Sequence, residues 1–122
     1  MKKNDSRSVS RKIRHQRLRK KISGNIEKPR VAVFKSVKHI YAQAIDDDKR
    51  ITLAFASSID RELKEKLAES SKTEEAVLVG KLLAKRLLKL QVNKIVFDRG
   101  GFKYHGRIQA LADAMREEGI IF

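Results

Sequence analysis

Apolar and polar residues alternate over three short stretches that follow Pro29, the only proline of the chain. A period of two, carried by β-branched and aromatic residues, is typical of strands. The connections between the stretches are short and polar, so the pattern predicts a three-stranded antiparallel meander. Within the second strand, Ile40 and Tyr41 should point to opposite faces of the sheet. The predicted strands are residues 31–34, 39–45 and 51–56.

Beyond these strands, the apolar period changes to that of a helix. Thr73 is a suitable N-cap, and Glu74 follows where the helix dipole favours acidic residues. The apolar face then continues to about residue 90, and Asn93 can end the helix. A strand over residues 94–97 comes next, so that strand, long helix and strand predict a parallel crossover.

A last helix is predicted from Gly106 to Gly119, because apolar residues recur there at positions i, i+3, i+4 and i+7. The three residues after it form either a short edge strand or a packed tail. Residues 57–72 carry the weakest pattern, with a short helix expected over 62–67. These elements predict an α/β fold in which the antiparallel meander is extended by a β-α-β crossover into a mixed sheet packed by helices.

Charge divides the chain into a basic arm and a nearly balanced domain. The chain has 29 Lys and Arg against 15 acids, a net charge of +14, and residues 1–30 hold 12 of those basic residues with only two acids. This asymmetry is typical of nucleic-acid-binding proteins. Repulsion among like charges should leave the arm disordered or frayed in the free chain, and helical where phosphates neutralise it. A localisation signal or a calmodulin-target helix is the alternative for the arm. The predicted segments are a basic arm, a linker and an α/β domain, at residues 1–23, 24–30 and 31–122.

Several classes of protein are disfavoured by composition. The chain has no cysteine, which excludes disulfides and thiolate metal sites, and no two of its three histidines stand at ligand spacing. No apolar run approaches the roughly 20 residues that span a bilayer, and no secretory signal is evident. We therefore expect a soluble intracellular protein that uses neither a metal nor a cofactor.

The most distinctive chemistry lies in residues 95–107. Three apolar residues lead into Asp98, a double glycine follows at Gly100 and Gly101, and aromatic and basic residues then alternate up to a helix start at Gly106. The double glycine supplies positive φ without steric cost, while the alternating side chains suit phosphates and stacked bases. We interpret the stretch as a recognition loop whose backbone is formed by Asp98, Gly100, Gly101 and Gly106. The simpler alternative is turn chemistry alone.

Catalysis has little support in the sequence. The spacing of a P-loop is absent, and no serine stands in a nucleophile elbow. Asp46 and Asp98 would end two strands, as the magnesium-binding carboxylates of nucleases often do. Aspartate is also an ordinary turn residue at strand ends, so we expect no enzyme. A magnesium nuclease and a DNA-compacting basic protein stay open as alternatives.

Two long blocks carry a resemblance to a known family. They are Val33-Phe34-Lys35-Ser36 with Lys38-His39-Ile40-Tyr41-Ala42-Gln43, and Val96-Phe97-Asp98-Arg99-Gly100-Gly101-Phe102-Lys103-Tyr104-His105-Gly106-Arg107 with Ala110-Leu111-Ala112-Asp113. With the basic arm and the chain length, they resemble the bacterial large-subunit ribosomal protein L-eighteen family, whose members bind 5S rRNA.

The resemblance implies an α/β domain of the type found in components of the translational machinery. It further implies a structural role in the cytoplasmic ribosome, where the protein binds 5S rRNA and helps attach it to 23S rRNA in the central protuberance. Its neighbour there would be the 5S-binding ribosomal protein L-five, and the free protein would be a monomer without membrane contact.

Resemblance and charge together place RNA contacts on the arm and on two corners of the domain. The expected RNA-binding residues are Arg7, Arg11, Lys12, Arg14, Arg17, Arg19, Lys20, Lys21, Arg30, Lys35, Lys38, His39, Tyr41, Arg99, Lys103, Tyr104, His105 and Arg107.

Overall fold

A four-stranded mixed sheet forms the centre of the fold. This computed structural model describes residues 3–20, 22–63 and 71–122, and only the backbone of residues 3–7. The strands lie in the order β3-β2-β1-β4, with β1–β2 and β2–β3 antiparallel and β1–β4 parallel. The predicted mixed sheet is confirmed. The elements are α1 (Lys3–Arg19), β1 (Arg30–Lys35), β2 (Ile40–Asp46), β3 (Ile51–Ser57), α2 (Lys72–Lys89), β4 (Val96–Asp98) and α3 (Gly106–Glu117).

One face of the sheet is the apolar core. Ile40, Ala42 and Ala44 are fully buried, while the intervening residues of β2 stay partly accessible, as the period of two predicts. Helix α2 packs on β2 and β3 and lies against α3. The inward side chains Leu83 and Leu111 are fully buried. Helix α3 follows its predicted apolar spacing, and the chain turns at Gly119 with a φ of 101°.

The start of α2 differs from the prediction. Ser71, not Thr73, is the N-cap: the Ser71 hydroxyl accepts the Glu74 N–H at 3.2 Å, and the Glu74 carboxylate accepts the Ser71 N–H at 3.3 Å. This reciprocal capping box satisfies two helix-end donors, and Thr73 cannot form it with Glu74. Of the short helix predicted over 62–67, the structure describes a 3₁₀ turn at Arg61–Leu63, and residues 64–70 lie outside the described residues.

The end of α2 and the start of β4 also shift. The helix ends at Lys89 rather than near Asn93, and Gln91 turns the chain with a φ of 61°. Strand β4 begins at Val96, whereas Lys94 forms a parallel bridge with Ile121. The C-terminal tail therefore packs beside the segment that leads into β4.

The second face of the sheet is partly covered by α1. The arm, predicted to be disordered or frayed in the free chain, is described here as a helix that contacts the loop after β4. Its state in free solution stays a prediction. Within the described ranges, no helix has the length and apolar character to cross a membrane.

Candidate nucleic-acid interface

The loop after β4, residues 98–106, is called the glycine loop here. Gly100 and Gly101 have φ values of 65° and 79°, a region that L side chains rarely adopt. The Asp98 carboxylate accepts the Gly100 N–H at 2.8 Å, so the last residue of β4 holds the turn that follows it. The backbone of the loop is thereby set by a buried acid and two left-handed glycines.

Helix α1 docks on this loop through its own basic side chains. Arg11 Nη1 donates to the Gly100 carbonyl at 3.1 Å, and Arg14 Nε donates to the Gly101 carbonyl at 2.9 Å. A Cβ at Gly101 would overlap the Arg11 carbonyl oxygen and lie 3.0 Å from the backbone nitrogen of His15. The absence of a side chain at Gly101 therefore lets the helix approach the loop.

A chain of ion pairs, which we call the charge network, connects α1 and β1 with the turn after β2 and the glycine loop. His15 Nε2 lies 3.0 Å from Asp98 Oδ2, and Arg30 Nη1 donates to the same oxygen at 2.6 Å. Arg30 also binds Asp47 in a bidentate manner, at 2.9 and 3.0 Å. Arg19 completes the network 3.5 Å from Asp47. Arg30 is only 8% exposed, so its charge is neutralised inside the protein.

The network keeps both acids ionised. Hydrogen bonds from Arg30 lower the pKa of Asp47 to about 2. Burial alone would raise the pKa of Asp98, but its hydrogen-bond donors outweigh burial and hold that pKa below its ordinary value. Two negative charges are therefore fixed between the guanidinium groups of Arg30 and Arg19 and the imidazole of His15 at neutral pH.

An aromatic row joins the two corners that the sequence places far apart. Ring centroids are 6.0 Å apart for Phe102 and Phe34, 6.2 Å for Phe34 and Tyr41, and 6.4 Å for Tyr41 and His39. The Arg11 guanidinium lies 4.8 Å from the Phe102 centroid, within the range of a cation–π contact. The glycine loop, the β1–β2 turn and α1 thus form one continuous surface.

Comparison with known proteins identifies the family of the chain. A family model described as ribosomal L18 of archaea, bacteria, mitochondria and chloroplast matches residues 5–122. The chain belongs to this family. Large ribosomal subunit protein uL18 of Dictyoglomus thermophilum is 53% identical over 117 residues, which are 96% of each chain. Its counterpart in Kosmotoga olearia is 53% identical over 122 residues, covering 100% of this chain and 99% of the relative.

Family membership confirms the predicted resemblance and makes the chain a structural, non-enzymatic constituent of the ribosome. The predicted location in the ribosome is confirmed in the same way. Association with rRNA follows from this membership.

The predicted RNA-binding residues fall into two groups. The side chains of the first group form hydrogen bonds within the protein. Arg30 lies in the charge network, and Arg107 donates to the Ser36 carbonyl at 3.1 Å. The Tyr104 hydroxyl accepts a hydrogen bond from Arg116 Nη1 at 2.9 Å. His39 Nδ1 lies 3.0 Å from Ser58 Oγ. The side chains of the second group are accessible, although Arg11, Arg14 and Arg19 also make the contacts with the glycine loop and Asp47 described above. Arg11, Arg19, Lys35, Tyr41 and Arg99 are partly exposed; Lys12, Arg14, Arg17, Lys20, Lys38, Lys103 and His105 are exposed.

Two predicted arm contacts cannot be placed in the same way. Lys21 lies outside the described residues, and only the backbone of Arg7, within α1, is described.

Gly106 has a φ of 56° and open space where a Cβ would stand, so it turns the chain into α3 without a close neighbour.

The carboxylates of the nuclease alternative lie apart. Asp46 shares the core face with Ala44, and its Oδ1 accepts the Asp48 N–H at 3.0 Å, which is turn chemistry. Asp98 pairs with Ala32 and points to the α1 face. One metal ion cannot bridge carboxylates on opposite faces of a sheet. Among the described residues, no three His, Cys, Asp or Glu side chains are grouped as metal ligands.

Sequence reasoning missed the residues that hold α1 in place. His15 and Asp47 were not predicted to form ion pairs between α1 and the sheet, although Asp47 lies in the acidic run at the end of β2. Phe34 was assigned only to a strand. Its alternation with the buried Val33 is the signal that places its ring on the opposite face from the core.

Proposed function

We propose that this protein binds 5S rRNA and helps attach it to 23S rRNA in the central protuberance of the large ribosomal subunit, beside ribosomal protein L-five. The observation that carries the proposal is the continuous surface made by α1, the glycine loop and the aromatic row. Its exposed cations can neutralise phosphates, and its rings can stack on bases. The names of the relatives, large ribosomal subunit protein uL18, support the same assembly.

Different residues of the surface would do different work. Exposed cations such as Lys12, Arg17 and Lys38 would meet phosphates and supply the salt-dependent part of the affinity. His105 and Tyr41 would stack on bases or pack against sugars. Arg30 and Asp98, both buried, would hold the parts of the surface in register rather than touch RNA. The protein would work as a monomer, without a cofactor, by positioning RNA.

The shape of RNA explains why a rigid surface is needed. An A-form duplex hides its base edges in a deep major groove, so a protein reads it through phosphates, 2′-hydroxyls and irregular loops. Such readout requires cations at defined separations. The hydrogen bonds from Arg11 and Arg14 to the loop carbonyls provide that fixed spacing.

A competition experiment tests the first half of the proposal. Labelled 5S rRNA bound to the protein is challenged with unlabelled 5S rRNA, with an unrelated structured RNA of equal length and with duplex DNA, at 200 mM salt. We expect only 5S rRNA to compete efficiently. Equal competition by all three polyanions would overturn the proposal and favour the DNA-compacting alternative.

A second experiment tests the attachment role. Labelled 5S rRNA is mixed with 23S rRNA and ribosomal protein L-five, with and without this protein, and 5S rRNA in the joint complex is measured by sedimentation. We expect the fraction to rise when the protein is present. An equal fraction in its absence would remove the attachment role and leave 5S binding intact.

A further inference from the structure

Helix α1 leaves part of the second sheet face uncovered, and two phenylalanines lie there in contact with solvent. Phe34 of β1 is 48% exposed and Phe55 of β3 is 46% exposed. Strand pairing puts them on one face, because Phe34 lies opposite Tyr41 and Phe55 lies opposite Gln43. Exposed rings gathered on one surface suggest that another molecule covers them.

Between these rings the face is hollow. Ala32 lies two positions from Phe34 on the same face of β1, and its small side chain leaves a cleft of about 260 Å³. This aromatic cleft is lined by Arg11 and His15 of α1 on one side, and by Tyr41, Gln43 and Phe55 on the other. Its volume is below the roughly 300–1,000 Å³ of typical small-molecule pockets, so it suits one flat ring system.

We propose that the aromatic cleft binds one unpaired base of the bound RNA, which stacks on the rings of Phe34 and Phe55. The inference rests on the proposed function and adds to it Phe34 and Phe55, which are not among the predicted RNA-binding residues. An aromatic ring offers a face to any base, and single-stranded RNA is often bound by aromatic side chains on an open sheet.

Charge decides between RNA and a protein segment as the occupant. The cleft is lined by the guanidinium of Arg11, and by His15 and Arg30, whose side chains pair with Asp98. No acidic residue lines the cleft within the described part of the chain. A nucleotide satisfies both parts of this arrangement, because its base would meet the rings and its phosphate would approach Arg11. An apolar peptide would satisfy only the first part.

Gln43 adds a polar group beside the rings. Its side-chain oxygen accepts the Thr52 hydroxyl at 3.2 Å, and this hydrogen bond orients the amide on the exposed face. An amide can donate to or accept from the edge of a base. The cleft therefore combines a stacking surface, a hydrogen-bonding group and a cation for phosphate.

Affinity measured against salt tests the site. The double variant Phe34→Leu with Phe55→Leu keeps apolar bulk and removes both ring faces. We expect its affinity for 5S rRNA to fall by about 5- to 150-fold, the loss of one stacked base, at every salt concentration. The slope of log K against log salt should not change, because the double variant keeps Arg11 and every other cation of the surface. Leu90→Ala, an exposed position at the end of α2, is the matched control and should bind like the wild type.

A fluorescence measurement gives an independent readout. The chain has no tryptophan, so Phe55→Trp introduces a single reporter into the cleft and Leu90→Trp a single reporter away from it. Binding of 5S rRNA should quench the first and leave the second unchanged, because only the first stacks on a base.

The outcomes separate the two proposals. If the wild type binds 5S rRNA and the double variant binds equally well, or if both reporters respond alike, the cleft does not hold a base and the proposal is overturned. If the wild type shows no preference for 5S rRNA, the proposed function fails first.

Discussion

One face of the sheet packs through apolar side chains against α2 and α3, whereas the other face is joined to α1 through ion pairs and arginine–aromatic contacts. The first contact is broad and non-directional, because burial of apolar area tolerates small shifts. The second depends on the contact of His15 with Asp98, the ion pair of Arg19 with Asp47 and single hydrogen bonds to two carbonyl groups. Each of these bonds requires a particular distance and angle.

The difference teaches how stability and positioning are divided. The apolar face supplies most of the free energy of folding, since apolar burial is the dominant favourable contribution. The charged face adds less stability, because the cost of removing ions from water offsets their attraction. What it provides is a fixed placement of α1 against the glycine loop, on the side where RNA contact is proposed.

The largest effect is expected from a cavity on the apolar face. Leu83 of α2 is fully buried, so Leu83→Ala should lower the free energy of unfolding by about 2–5 kcal/mol. Leu88→Ala, on the exposed side of the same helix, is the control and should stay within about 0.5 kcal/mol. Urea denaturation measures both. The folded fraction of Leu83→Ala should bind 5S rRNA with wild-type affinity, and weakened binding would show that the two faces are not independent.

The next effect concerns the docking of α1, and two glycines separate docking from strain. Gly101 and Gly106 both have positive φ, so alanine at either position should cost about 1–2 kcal/mol in backbone strain. Only the Cβ of Gly101→Ala meets the backbone of α1, whereas that of Gly106→Ala meets open space. We expect Gly101→Ala alone to increase hydrogen exchange in α1 and to weaken 5S rRNA binding. Equal effects of the two variants would mean that loop strain matters and docking does not.

The two faces also differ in how far the sequence predicts them. The period of two in β2 is correct residue by residue, because burial on one side requires alternation there. The error at the start of α2 is local: Ser71 and Thr73 are both suitable caps, and the pairing of Ser71 with Glu74 three residues later decides between them.

The charged face could not be predicted from local patterns. His15 and Asp98 are 83 residues apart in the chain, and Arg30 and Asp98 are 68 apart. Periodicity reports only on neighbours within one element. Ion pairs between elements depend on the tertiary arrangement, so Arg30 was predicted as an RNA contact although the structure places it in a buried pair. The resemblance to the family predicted which residues contact RNA, but it did not predict the ion pairs that join α1 to the sheet.

An effect of similar size should appear in the pH dependence of stability. The pKa of Asp47 is lowered from 3.8 to about 2 by Arg30, so the folded state favours the ionised carboxylate. This stabilisation, about 2 kcal/mol, is fully present above the unfolded pKa and is lost as pH falls from about 4 to about 2. The difference in unfolding free energy between wild type and Asp47→Asn should therefore be large at pH 7 and shrink in this acidic range. Asp48→Asn, at the exposed neighbour, should show little difference at either pH; a pH-independent difference for Asp47→Asn would contradict the ion pair as its cause.

The smallest expected effect is on the salt dependence of RNA binding, when one lysine is removed from α1 or from α2. Lys12 is exposed on α1, and Lys89 is exposed in the last turn of α2, which packs against the apolar face. If Lys12 meets a phosphate, Lys12→Ala should flatten the slope of log K against log salt by roughly 0.7–0.9 units, the contribution of one released counterion. Lys89→Ala removes the same net charge but should leave the slope unchanged, because its side of the molecule is not proposed to touch RNA. Titrations of 5S rRNA at four salt concentrations measure both slopes. Equal flattening would show that RNA responds to the overall charge of the protein and that the α1 surface has no special place in binding.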